Sequence, residues 1–290
     1  MPPLRWQKGF SLMHRCALIL AAAIVLLCGC SRRESSAYMV SLEPQRWLLE
    51  QLVDSTASVA TMLPGGADPE TTEPSVTQRL AADDAIAYFA TGLLPFEGRL
   101  AQSLKGGYVE TLDGVSLIYG THDHGDSHAA HVPDPHVWTS PRRMAAMAGG
   151  MAEALSRLTP ERSVDYERRR DALVARLDSI ARLTAEAIDA SGVKSFAVWH
   201  PFLSYFADDY GLNQIVVGQD GKEMSALQIK EAIDKARAAG VKVLFVERGD
   251  DSRQAAVIAD GIGARLVALN PMAYDFEQQM SLITDELTRP

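Results

Sequence analysis

TPERSVDYERRRDALVARLDSIARLTAEAIDASG, residues 159–192, is the stretch on which the fold turns. Thr159 and Pro160 supply an N-cap and a proline for the first helical position. From Glu161 to Ala190 neither glycine nor proline interrupts the chain. Leu173, Val174, Leu177, Ile180, Leu183 and Ile188 recur at roughly helical spacing among Arg, Asp and Glu. Some thirty residues of helix extend about 45 Å. That is long for one globular core, and a helix joining two lobes accounts for it.

Outward from this helix, on both sides, strand-like and helix-like segments alternate. Before it, short apolar runs at 38–42, 58–63, 85–90 and 108–111 read as strands, and 44–53, 75–82 and 96–104 as helices. After it, runs at 194–199, 214–217, 241–246 and 265–269 read as strands, and 201–210, 225–239, 253–261 and 276–287 as helices. Ser75-Val-Thr-Gln78 and Ser225-Ala-Leu-Gln228 are capping boxes opening two of these helices. Alternation of this kind implies parallel sheets flanked by helices. The expected fold is therefore α/β, with an N-terminal lobe at 38–158, a linking helix at 159–191 and a C-terminal lobe at 192–290.

The first 29 residues read differently. Residues 17–29 (ALILAAAIVLLCG) are apolar, follow His14-Arg15, and fall short of the ~20 residues that span a bilayer. They read as a secretory signal peptide at 1–29. Leu27-Cys28-Gly29-Cys30 resembles a bacterial lipobox, which would make Cys30 a lipidated first residue and 30–37 a short tether. An ordinary signal peptide is the alternative. All three cysteines lie at positions 16, 28 and 30, so the mature chain is expected to have no disulfide and no thiolate metal site. Loss of Arg5, Lys8 and Arg15 with the leader takes the net charge from −9 to −12. An acidic surface without basic clusters argues against nucleic-acid binding.

Histidines carry the chemical signal. Six remain after the leader: His122, His124, His128, His131, His136 and His200. Imidazole is a preferred ligand for zinc and its neighbours. The segment HDHGDSHAAH, 122–131, has glycine, small residues and charge, and suits a loop that binds metal loosely or a plain polar loop. In Asp134-Pro-His136-Val-Trp-Thr-Ser-Pro141 two prolines restrain the backbone around His136 just before a helix cap. Trp199-His200-Pro201 repeats that placement at the end of a strand in the second lobe, where open α/β sheets bind ligands. Further ligands would have to be carboxylates. Glu70, in the turn-rich 65–74, and Asp275, after the last strand, are candidates, with Glu247 in reserve. Glu70 would equally suit a surface loop, and Asp275 is equally placed to cap the final helix.

GGADPETTEP (65–74), DPHVWTSP (134–141), WHPFLSYFADDYGL (199–212) and VLFVERGDDSRQAAVIADGIGARLVALNP (243–271), in that order, resemble the metal-binding solute-binding proteins of zinc and manganese ABC transporters. The resemblance runs over residues 38–287. It implies two α/β lobes joined by a rigid helix, with the metal in the cleft between them. It places the four ligand positions on Glu70, His136, His200 and Asp275. Zinc members usually carry histidine where this chain has Glu70; a histidine-rich loop ahead of DPHxW resembles that of zinc-specific members. The expectation is a monomeric, lipid-anchored protein of the periplasm or cell envelope that captures Zn2+ for a membrane permease, with Mn2+ as the alternative ion. No HExxH, nucleophile elbow or phosphate loop favours a metallohydrolase. A metal-binding adhesin or zinc-buffering lipoprotein stays open, because a docking face for a permease has no sequence motif.

Overall fold

Tyr38–Val40 (β1) and Ala87–Ala90 (β3) bury every residue, as central strands covered on both faces must. Val59–Thr61 (β2) and Gly107–Glu110 (β4) are partly exposed and take the edges. The same division recurs later in the chain. Ser195–Val198 (β5) and Val243–Glu247 (β7) are central, while Asn213–Val216 (β6) and Arg265–Leu269 (β8) are edges. Among the described residues every pairing within the two sheets is parallel, and the sheets have matching orders, β2-β1-β3-β4 and β6-β5-β7-β8. The computed structural model describes residues 38–120, 132–218, 223–248 and 253–289. Cys30, the leader, the tether and the histidines at 122, 124, 128 and 131 lie outside these described residues.

Parallel neighbours need crossovers, and helices supply them. Those of the first sheet are Glu43–Leu52 (α1), Val76–Asp83 (α2) and Glu97–Ser103 (α3). Between the sheets run Pro141–Leu158 (α4) and Ser163–Ser191 (α5). Ser204–Tyr210 (α6), Ala226–Ala238 (α7), Arg253–Ile262 (α8) and Phe276–Thr288 (α9) flank the second sheet. The capping boxes at Ser75 and Ser225 form as read from sequence. The long helix starts at Ser163, a little later than Pro160 suggests, because Pro160–Arg162 forms a 3₁₀ turn first. Gly192, in the left-handed region at φ 72°, stops it.

The helix does more than connect. Near its start Arg162 reaches Asp54 at 2.6 Å and Arg169 donates to the Val53 carbonyl at 2.9 Å, both at the end of α1. Near its end the Thr184 and Thr284 hydroxyls meet at 3.3 Å, and Ile188 is buried. Beside it α4 buries Met144, Met147, Met151 and Leu155 along one face. Each such side chain contributes about 1.5–3 kcal/mol when fully buried. One apolar core runs unbroken from Val40 and Phe89 of the first sheet, through Leu173 and Leu177 of α5, to Phe196 and Phe245 of the second. A smaller core, with Ala197, Trp199, Leu244 and Val246, fills the outer face of the second sheet.

Candidate metal centre

His136 stands on a loop fixed from inside. Asp134 is fully buried, and its Oδ1 accepts the His136 backbone N–H at 2.8 Å and lies 3.0 Å from Nδ1. A carboxylate can only accept, so Nδ1 carries the proton and Nε2 is left as the donor atom for a cation. Val137–Thr139 then turns as a 3₁₀ helix, with the Thr139 hydroxyl donating to the His136 carbonyl at 2.8 Å. Ser140 caps α4 through the Arg143 N–H at 3.0 Å. The Trp138 indole N–H donates to the Pro271 carbonyl at 2.9 Å, tying this loop to the end of the second sheet.

The strand alternation fixes His200. Phe196 and Val198 face the core shared by the sheets, and Ala197 and Trp199 face the outer one. His200, next in the alternation, leaves the carboxyl edge toward the first sheet. Glu70 arrives on a loop built from its own residues. Asp68 accepts the Glu70 N–H at 2.9 Å and the Thr71 hydroxyl at 2.5 Å, and Pro69 is buried.

These three loops bring Glu70, His136 and His200 together, with one donor atom from each within 4.8 Å of the others. Glu70 Oε1 lies 3.7 Å from His136 Nε2 and 3.5 Å from His200 Nε2. Donor atoms held tetrahedrally at about 2.0–2.1 Å from a zinc ion stand about 3.4 Å apart. The two distances from Glu70 Oε1 are therefore close to those of ligands around a common cation.

Asp275 does not join them. Its exposed carboxylate accepts the Gln278 N–H at 3.0 Å and caps α9. The neighbours dictate this. Tyr274 lies against α1, with Arg46 4.5 Å from its ring centre and Glu50 2.5 Å from its hydroxyl. Phe276 packs 5.5 Å from Trp47. Glu247, the reserve candidate, ends β7 next to the site. Burial raises its carboxyl above the usual range; His200 and His136 act to lower it, Asp68 and Glu70 to raise it further.

Two supporting residues escaped the sequence reading. Asp134 was legible only as an acid two places before a histidine on a rigid loop. Tyr205, fully buried in α6, donates to the Asp134 carbonyl at 2.8 Å and accepts from the Ile118 N–H at 3.2 Å. Close by, the Ser140 hydroxyl donates to Asp209 at 2.6 Å, and the Arg143 guanidinium pairs with Asp208 and Asp209. Burial raises the Asp209 carboxyl above its ordinary range, and Ser140 and the arginines pull against it. This latch holds the His136 loop against the helix that follows His200.

Residues 39–288 match the family model described as zinc-uptake complex component A, periplasmic. The chain belongs to that family. Zinc-binding lipoprotein AdcA of Streptococcus pneumoniae (strain ATCC BAA-255 / R6) is 25% identical over 278 residues, covering 90% of this chain and 56% of AdcA. The chain thus spans a little over half the length of that relative. High-affinity zinc uptake system protein ZnuA of Bacillus subtilis (strain 168) is 25% identical over 290 residues, covering 92% of this chain and 89% of ZnuA. A crystal structure of ZnuA superposes with a TM-score of 0.78 at 29% identity, covering 87% of this chain and 97% of that one. This family is one of substrate-binding transport components, and its two-lobed architecture around a long helix is the architecture seen here. Among the described residues no helix is long and apolar enough to cross a membrane.

Proposed function

We propose that this chain is an extracytoplasmic lipoprotein that captures Zn2+ between its lobes and hands it to the permease of an ABC importer. The observation that carries the reading is the convergence of His136 Nε2 and His200 Nε2 on Glu70 Oε1, at 3.7 and 3.5 Å. Two imidazoles suit zinc better than manganese, and zinc outranks manganese at nitrogen-containing sites generally. The zinc-binding and zinc-uptake relatives support the same ion. In this reading 38–158 and 192–290 are the lobes on either side of the linking helix 159–191. Cys30, after the 1–29 leader, carries the lipid that holds a monomer at the membrane through the 30–37 tether. His122, His124, His128 and His131 collect zinc loosely ahead of the cleft, and the protein performs no catalysis.

The test is zinc-limited growth and 65Zn uptake in a strain lacking the gene. The parent chain restores both. His136→Ala/His200→Ala removes two of the donors to an ion whose structural sites are worth roughly 10–16 kcal/mol, and it fails to restore either. Uptake restored by the double variant would mean that the cargo is held elsewhere.

A further inference from the structure

Glu70, His136 and His200 offer three donor atoms, one fewer than a closed zinc site uses. We infer that Glu247 is the fourth ligand, a carboxylate from the second sheet that completes the site. The inference rests on the zinc-capture reading above.

Strand register carries it. β5 and β7 pair with Ala197 opposite Leu244 and Val198 opposite Phe245. The Trp199 N–H donates to the Phe245 carbonyl at 2.9 Å, the bond that closes the Val198–Phe245 pair at the end of the ladder. His200 and Glu247 each stand two places beyond that last pair, at the same carboxyl edge of the two strands. Paired residues of parallel strands point to the same face. Val243 and Phe245 lie in the core shared by the sheets, as Phe196 and Val198 do, whereas Leu244 and Val246 lie in the outer one. Glu247 is next in the inner series, so its side chain leaves the edge on the same face as that of His200.

The edge itself is the place for a ligand. β5 pairs with β6 on one side and β7 on the other, and ligands of open parallel sheets bind where the strand order reverses in this way. His200 and Glu247 flank that point. Electrostatics agree, since His200, His136, Asp68 and Glu70 all act on the Glu247 carboxyl. Asp68 is the weaker candidate, because its two oxygens accept from the Glu70 N–H and the Thr71 hydroxyl. Glu247 stands outside the 4.8 Å group, so coordination requires a new side-chain rotamer that swings its carboxylate inward. Two carboxylates and two neutral imidazoles then cancel the charge of a divalent ion, which offsets much of the cost of burying it.

Zinc affinity by chelator competition, with visible absorption of the Co2+ form, tests the assignment. Glu247→Gln should weaken zinc by about 100-fold, a quarter of a four-ligand site's binding energy, and shift the cobalt bands. Glu247→His keeps a donor in place; it should bind within about tenfold of the parent, with cobalt bands moved by the added nitrogen. His136→Ala/His200→Ala separates the two claims. If that variant loses tight zinc while Glu247→Gln keeps parent affinity and parent bands, zinc capture stands and the Glu247 assignment falls. If the double variant keeps tight zinc, both fall. Should Glu247→Gln fail to fold, parent-like cobalt bands in folded Glu247→His would equally overturn the assignment.

Discussion

The loops bearing His136 and Glu70 deliver donor atoms to the same point but are held by different means. Around His136 the restraints come from across the molecule: buried Asp134, the Trp138 indole on the Pro271 carbonyl, and Tyr205 on the Asp134 carbonyl. Around Glu70 they come from the loop's own Asp68 and Thr71, and the Glu70 side chain is 23% exposed. A donor locked by its surroundings needs little ordering when the ion arrives, so it favours affinity. A donor on a self-contained loop can change chemistry without disturbing the core. In the proposed site, the contrast would separate a part that sets how tightly an ion is held from a part that sets which ion is preferred.

The sharpest way to break the contrast is Asp134→Asn. It preserves shape but removes the carboxylate that fixes the His136 tautomer, and losing the acceptor behind a metal-binding imidazole costs about 10–100-fold in metal affinity. Chelator competition for zinc is the measurement, and an affinity within twofold of the parent would mean that the loop needs no such anchor. Glu70→His should act on selectivity. It raises the nitrogen count, so one ion per protein is retained while the zinc-over-manganese ratio in competitive titration rises by about tenfold. An unchanged ratio would strip the Glu70 loop of its role in ion choice. The smallest effect belongs to Asp275→Ala: zinc affinity stays as in the parent, and thermal unfolding shows a loss of about 1 kcal/mol from the missing helix cap. A hundredfold weaker zinc site in that variant would return Asp275 to the ligand set.

The fold was legible because its signals are local. Apolar runs, capping boxes and the uninterrupted 161–190 stretch each act within a few residues, and the strands and the long helix appear close to where those signals put them. Helix α4 was visible only at its cap, because Gly149-Gly150 in the middle of it weakens the pattern. His136 and His200 were legible as matching strand-to-helix positions, and the structure brings their rings to 5.3 Å. Asp275 could not be resolved from sequence, since an acid before a helix suits both a cap and a ligand. What places it is the contact of Tyr274 with Glu50, 224 residues away. The part played by Asp134 depended on a rotamer, and that of Tyr205 on the meeting of two elements far apart in sequence.

The larger core, shared by both sheets, has a consequence for how the protein comes apart. Residues such as Phe89 and Phe245 belong to one continuous apolar body, so among the described residues the cores of the two sheets are coupled rather than separate. Heating should give one calorimetric peak, with equal van't Hoff and calorimetric enthalpies. A bound ion would move that peak as a whole, because stabilising the mouth of the cleft stabilises everything joined to it.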